Sequence, residues 1–326
     1  MQEFTSCHWL MHGLSFEQDH IEMCCLCCHE GGGRVYIKED YNGKGLTWDN
    51  IFDLKQKFID QNKNGEIDPR CKGCFNLVHR GWDEDRYINY LHFNHWTHCN
   101  CDCTYCYTSW DKANFQKKKH YKVMPMLKEL FKKKLFRPDG EVTFAGGEPT
   151  ILDEFEDIIK ILLKNNVPRI TVHSSGIKYS KAIEKGIKEG KVHVCLSADA
   201  GSRDTYMAVK RVDKFDKFWE NVEKYANAQP KDKKHLVETK LILIPEVNTN
   251  RGEIEKWFSL NLACGVKTIV VDIENEYCKE LRSKNEEKPK YLVDLCNYII
   301  KRAQELNFNL VDYNNFRYVA SEYNLM

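Results

Sequence analysis

The stretch "HWTHCNCDCTYCYTSW", His95 to Trp110, sets four cysteines within eight residues. Cys99, Cys103 and Cys106 are spaced C-x3-C-x2-C, with Cys101 between the first two. Three thiolates leave a tetrahedral zinc site one ligand short. They suffice to hold three irons of a [4Fe–4S] cube and leave the fourth iron open to a substrate or cofactor. Zinc with Cys101 as the fourth thiolate is the alternative, but C-x-C-x-C-x2-C is tight for a four-thiolate loop. The spacing favours the cluster, and Cys101 is expected to point away from it.

The loop follows a β-branched and aromatic run, "YINYLHFN" (Tyr87 to Asn94). Five more runs come after it: "EVTFAG" (Glu141 to Gly146), "RITVHSS" (Arg169 to Ser175), "KVHVCLS" (Lys191 to Ser197), "KLILI" (Lys240 to Ile244) and "KTIVVDI" (Lys267 to Ile273). Apolar residues at helical spacing predict helices near 122–135, 152–165, 179–189, 203–228, 251–263 and 287–306. Strands alternating with helices predict a parallel sheet with right-handed crossovers. Such sheets curl into barrels whose active sites gather at the carboxyl ends of the strands. The cysteine loop sits at one of those ends.

A second motif sits at the next one. "EVTFAGGEPT" puts Gly146, Gly147, Glu148 and Pro149 straight after its strand. Two glycines let a ligand approach the backbone closely, and an acid there suits an ammonium group. By itself this also reads as a glycine turn with a helix-starting acid and proline. One βα unit after C-x3-C-x2-C, with Tyr105 just before the third cysteine, the chain resembles the radical S-adenosylmethionine (radical SAM) superfamily. "LSADAGSRDTY" (Leu196 to Tyr206) looks like that family's segment after the fourth strand, and the likeness covers roughly residues 87–273.

The resemblance implies an α/β fold, a partial (βα)6 TIM-like barrel. It also implies a [4Fe–4S] cluster on Cys99, Cys103 and Cys106 that binds S-adenosylmethionine and cleaves it reductively to a 5′-deoxyadenosyl radical. The Gly146–Gly147–Glu148 strip is expected to hold the methionyl amine. Ser197 or Asp199 is expected at the ribose, and Asn248 at the carboxylate or adenosine; small polar residues also end strands for capping reasons.

Of the 15 cysteines, only Cys195, Cys264, Cys278 and Cys296 follow residue 106. Cys7, "CCLCC" (Cys24, Cys25, Cys27 and Cys28) and "CKGC" (Cys71 and Cys74) crowd the front. A C-x2-C pair chelates one edge of a metal or cluster and needs two more thiolates. The order of these cysteines around the helical stretch Thr47 to Gln61 resembles the auxiliary-cluster modules called SPASM and Twitch, here placed ahead of the barrel. The expected ligands are Cys7, Cys25, Cys71 and Cys74, with Cys24 the rival to Cys25. They hold one auxiliary iron–sulfur cluster of the [4Fe–4S] type, with structural zinc as the alternative. The expected domains are a cysteine-rich module (1–85), the partial barrel (86–280) and a C-terminal helical extension (281–326).

Lysine plus arginine number 49 against 48 acidic residues, so nothing suggests a grip on nucleic acid or an anionic membrane surface. No run is apolar enough for a membrane span and the start lacks a signal-peptide pattern, so the expectation is a cytoplasmic protein with reduced thiols. The resemblance implies hydrogen-atom abstraction from an unactivated carbon, with electrons supplied by a reductase such as flavodoxin or ferredoxin. Cys195 and Cys278 are the candidate thiols for returning a hydrogen atom, although buried cysteines are usually just packed. Asp272 and Glu274 are candidates for binding a substrate hydroxyl or amine, or for taking a proton. A small polar substrate, a sugar or nucleotide sugar, is expected, giving oxidation or epimerisation. A maturase that epimerises or crosslinks a ribosomal peptide is the alternative, and a non-catalytic zinc-dependent recognition module is the rival of a different class.

Overall fold

The structure, a computed structural model, describes residues 3–24, 35–110, 120–284 and 286–320. Contacts divide the chain into two compact units, 1–98 with 113–171, and 99–112 with 172–326.

The first unit runs through β1 (Glu3–Ser6), α1 (His8–His12), β2 (Gly13–Phe16), β3 (Ile21–Glu22), β4 (Tyr36–Lys38), α2 (Trp48–Lys63) and β5 (Val78–Gly81). It continues with β6 (Ile88–Phe93), α3 (Met124–Lys132), β7 (Phe136–Phe144) and α4 (Phe155–Lys164). Its main sheet has the order β7-β6-β2-β3-β4; β7, β6 and β2 are parallel and β3 and β4 antiparallel. Parallel register sets Phe16 beside Phe93 and Phe93 beside Phe144, and their rings stack with centroids 5.3 and 4.9 Å apart. β1 and β5 pair separately as an antiparallel ribbon.

Helix α2 starts at Thr47, whose side chain and that of Asn50 cap each other's backbone N–H groups. It buries Trp48, Ile51, Phe52, Lys55, Ile59 and Asn62 along one stripe. Strand β2 was not foreseen from the sequence: "GLSF" is four residues long and only alternate ones are apolar, too short to register as a run.

β8 (Arg169–Ser174) spans the boundary between the units. The second unit then has α5 (Lys181–Lys188), β9 (Val192–Ser197), α6 (Arg203–Lys210), α7 (Phe215–Ala228), β10 (Val237–Leu243), α8 (Arg251–Ala263) and β11 (Thr268–Ile273). It closes with α9 (Asn275–Lys284), α10 (Lys290–Glu305), β12 (Asn309–Asp312) and α11 (Asn314–Val319). Strands β9, β10, β11 and β12 are parallel neighbours in that order. The single helix expected over 203–228 is two, because Arg211 takes a left-handed conformation (φ 56°) and closes α6 with its N–H on the Met207 carbonyl. The C-terminal extension, expected to be helical, also contributes β12 beside β11. Parallel strands with helical connections make this the α/β fold of a partial (βα)6 barrel. Among the described residues no helix is long and apolar enough to cross a membrane.

One buried histidine couples this fold to pH. His12 is 4% exposed and stacks on Tyr87 at 4.0 Å. Burial, then the nearby Lys55 charge, push its pKa down to about 4. The unfolded chain, with a histidine pKa of about 6.5, therefore binds the proton first as pH falls. The stabilisation is complete above about pH 6.5 and is lost as pH falls toward about 4, a change of about 3 kcal/mol. Urea unfolding across that range is expected to show this slope in the wild type and its loss in His12→Phe, which keeps the stacked ring.

Candidate functional site

The cysteine loop lies in the second unit. Cys99, Cys103 and Cys106 are half-buried thiols on one loop, none of them in a disulfide. The loop is fastened through its backbone to the end of α6: Asp102 N–H donates to the Lys210 carbonyl (3.1 Å) and Thr104 N–H to the Val209 carbonyl (3.0 Å). Cys106 N–H closes a turn on the Cys103 carbonyl at 3.2 Å. Ser175, just past β8, donates to the Asn100 side chain at 2.8 Å. Three thiols outside any disulfide, on a loop fastened through its backbone, fit a [4Fe–4S] cluster with one open iron.

Cys101 does not point away. It is 5% exposed, and its backbone N–H reaches the Cys99 sulfur at 3.4 Å. Its thiol hydrogen-bonds first Cys103 and then Cys99, which pushes its own pKa up and draws Cys103 toward thiolate. The compact C-x-C-x-C turn folds the middle side chain inward between its neighbours.

Beneath the loop is a buried network. The Tyr105 hydroxyl donates to Asp199 Oδ2 at 2.5 Å, and the Lys210 ammonium donates to the same oxygen. Ile242 N–H donates to Asp199 Oδ1 at 2.9 Å. Asp199 holds a left-handed backbone (φ 56°), and its carbonyl accepts from Asn248 Nδ2 at 2.9 Å. Asn248 also donates to the Ile242 carbonyl (2.7 Å) and accepts from Ile244 N–H (2.7 Å). The polar atoms of Asp199 and Asn248 are thus engaged within the protein, whereas Ser197 lies half-buried at the end of β9.

The Gly146–Gly147–Glu148 strip lies in the first unit. Gly146 has φ 95°, and a Cβ there would meet the Asn94 side chain at 2.5 Å and the Trp96 carbonyl at 2.7 Å. At Gly147 a Cβ would strike the carbonyls of Thr97 and His98. The glycines therefore admit the neighbouring backbone of residues 94–98, to which Gly147 N–H and Glu148 N–H bond at 2.7 and 2.8 Å. Glu148 is buried, and its carboxylate accepts from Thr150 N–H (3.0 Å) and the Thr150 hydroxyl (2.5 Å), capping the 3₁₀ turn Pro149–Ile151.

Alternation along the parallel strands of the second unit places His193, Cys195 and Ser197 on one face, with Glu238 and Lys240 beside Cys195 and Ser197 and Asp272 beside Ile242. His193 Nε2 is 3.1 Å from Glu238 Oε2. Cys195 is fully buried and bonded to Glu238; burial, then that carboxylate, push its pKa up. Asp272 Oδ1 accepts the N–H groups of Ile273 (2.9 Å) and Phe316 (3.3 Å), and burial raises its pKa. Glu274 caps α9, accepting from Glu276 and Tyr277 N–H at 2.9 and 2.6 Å. Cys278 is buried in α9. His193, Glu238 and Lys240 were not singled out from the sequence; their period-two placement in "KVHVCLS" and the run after His235 was the available signal.

In the first unit, Cys7, Cys24, Cys71 and Cys74 line one cavity together with Trp9, Leu10, Met23 and Val35. Cys7 caps α1, its sulfur accepting Leu10 N–H at 3.3 Å. Burial raises the Cys7 thiol, and burial followed by the Cys7 charge pushes Cys71 up to about 11. The expected ligand Cys25, like Cys27 and Cys28, lies outside the described residues.

A family model described as the radical SAM superfamily matches residues 93–260, just over half of the chain. Among curated proteins, the GTP 3′,8-cyclase of Vibrio parahaemolyticus is 22% identical over 127 residues, 39% of this chain and 38% of its own. The molybdenum cofactor biosynthesis protein moc-5 of Caenorhabditis elegans is 26% identical over 151 residues, 45% of this chain and 25% of its own. Among solved structures, Streptococcus suis SuiB bound to S-adenosylmethionine superposes with a TM-score of 0.54 at 14% identity, covering 82% of this chain and 56% of SuiB. SuiB bound to the precursor peptide SuiA gives 0.53 at 13% identity, with 81% and 63% covered. The chain thus spans well under half the length of these curated relatives.

Proposed function

The chain belongs to the radical SAM superfamily, and from that premise we propose that it abstracts a hydrogen atom from a small polar substrate of sugar or nucleotide-sugar type. In this reading the substrate is oxidised or epimerised at one carbon. The observation that carries the substrate class is the charged sheet face formed by His193, Glu238, Lys240 and Asp272. Barrel interiors are ordinarily filled by Val, Ile and Leu. A row of ionisable groups there suits a ligand rich in hydroxyls, whose hydrogen bonds replace the water those groups need.

Family members use a [4Fe–4S] cluster with S-adenosylmethionine, which supplies a 5′-deoxyadenosyl radical when reduced. Cys99, Cys103 and Cys106 hold the three protein-bound irons, and the Gly146–Glu148 strip takes the methionyl amine. Ser197 meets the ribose. Asp199 and Asn248, engaged by their own neighbours, position the strand ends, not the cofactor. Cys195 returns a hydrogen atom in an epimerisation, with Glu238 and His193 behind it. If the outcome is oxidation, the substrate radical gives its proton to Asp272 and its remaining electron to an oxidised iron–sulfur cluster. The front cavity holds an auxiliary iron–sulfur cluster on Cys7, Cys24, Cys71 and Cys74. A cytoplasmic flavodoxin- or ferredoxin-type reductase provides the electrons.

The test uses anaerobically purified, reconstituted protein, reduced and given S-adenosylmethionine in D2O with either nucleotide sugars or candidate precursor peptides. 5′-Deoxyadenosine with an oxidised or deuterated sugar supports the reading. Turnover of peptides alone overturns the substrate class. No cleavage of S-adenosylmethionine by cluster-loaded protein overturns the radical chemistry.

A further inference from the structure

We propose that Lys55 is the built-in counter-charge of the auxiliary cluster seated among Cys7, Cys24, Cys71 and Cys74, a positioning residue that sets how readily that cluster accepts an electron. The inference rests on the proposed reading of the front cavity as a cluster site.

Lys55 occupies the apolar stripe of α2, between Phe52 and Ile59, and is 1% exposed. Its ammonium donates to two neutral backbone carbonyls, Leu10 at 2.9 Å and Trp9 at 3.3 Å. Among the described residues no carboxylate stands within ion-pair distance of it. Burying a cation without a counter-charge is disfavoured by several kcal/mol. A lysine placed there by packing alone would be a poor choice beside Ile51 and Ile59.

The groups that act to hold the Lys55 charge are Cys7 and then Cys24 of the cavity, in the thiolate form that a cluster would impose on them. One short helix links the two sides: Cys7 caps α1 and receives Leu10 N–H, while Lys55 grips the Trp9 and Leu10 carbonyls of the same turn. Burial pushes the Lys55 pKa down to about 7 even with Cys7 and then Cys24 acting to raise it. Four thiolates on a [4Fe–4S]²⁺ core leave a net charge of about −2, and cluster potentials respond to net charge and burial. A fixed cation beside the cluster favours its reduced, more negative state. Among the described residues, Cys24, the rival to Cys25, lines the cavity with the other three and is taken as the fourth ligand in this arrangement.

The full chain, reconstituted anaerobically, is compared with Lys55→Gln, Lys55→Met and Lys55→Arg. Iron and sulfide are counted, and the front cluster is titrated potentiometrically by electron paramagnetic resonance. Gln keeps donors for the two carbonyls without the charge; Arg keeps both. The expected result is reduction at least tenfold less favourable in Gln and Met, a shift of about 59 mV or more to negative potential, with Arg close to wild type. Folded Gln protein that loses the front irons while Arg retains them also supports the proposal. A loaded Lys55→Gln protein with wild-type potential overturns it, even if Lys55→Met fails to fold. Loss of the front irons from all three variants, Arg included, overturns it too. Failure of the underlying reading is separately visible: the cavity then holds zinc, or Cys71→Ser with Cys74→Ser leaves the iron and sulfide content unchanged.

Discussion

Cys103→Ala is expected to lose about four irons per chain and to form no detectable 5′-deoxyadenosine, and Cys99→Ala and Cys106→Ala are expected to do the same. The loop offers three thiols on a backbone pinned by Asp102 and Thr104 to the end of α6. Removing one leaves two ligands for a cube that needs three protein ligands to keep one iron open. Cys101→Ala is the discriminating control. Its thiol is a buried hydrogen-bond donor to Cys103 and Cys99, so its loss is expected to weaken cluster retention without changing the iron count. Iron analysis and chromatographic assay of anaerobically reconstituted variants check this. If Cys101→Ala loses as many irons as Cys103→Ala, Cys101 is itself a ligand and the site is closed to S-adenosylmethionine.

The sequence made the α/β alternation legible because each strand run and each helix carries its own period. The run read at 191–197 is β9 at Val192–Ser197, and the helix read at 251–263 is α8 at Arg251–Ala263. β2 and β12 were not legible, since four-residue strands acquire their register from neighbours distant in sequence. The break at Arg211 carries no glycine or proline to mark it. The cysteine spacing announced a metal loop but not the direction of Cys101, which depends on turn geometry. The glycines of the strip read as room for a ligand; the structure adds that Gly146 and Gly147 also let the backbone of residues 94–98 approach, a long-range contact that no local pattern encodes. Lys55 did leave a trace: with Trp48, Ile51, Phe52 and Ile59 it recurs at the buried spacing of α2, a charge written into an apolar stripe. Lys210 left none, because "MAVKR" reads as an ordinary helix end with a cation suited to the dipole.

Asp199→Ala is expected to destabilise the protein by about 3–5 kcal/mol, because it strands the Lys210 ammonium in a fully buried position. Burial alone would raise the Asp199 carboxyl; the Lys210 and then the Lys240 charges outweigh it and hold the carboxyl below its usual range. Since the folded value lies below the unfolded one, the stabilisation is present above about pH 4 and is lost as pH falls through the depressed folded value. Lys210→Met leaves the anion buried instead, with Tyr105 and Ile242 N–H as its remaining donors, and is expected to cost less than Asp199→Ala. Tyr105→Phe removes one hydrogen bond to a charged group, about 1.5–3 kcal/mol. The paired replacement Asp199→Leu with Lys210→Met is expected to recover most of the stability, because it removes both charges together. Urea unfolding of the cluster-free protein measures all four, so that metal loss does not enter. The double variant also separates stability from function: Tyr105 stands between Cys103 and Cys106, and without its Asp199 partner the loop keeps its backbone bonds to α6 and the Ser175–Asn100 bond but loses its anchor at Tyr105. A stable double variant that releases iron faster than wild type would show that the network holds the cluster loop in place; single variants costing less than about 1 kcal/mol would show that the pair is not desolvated at all.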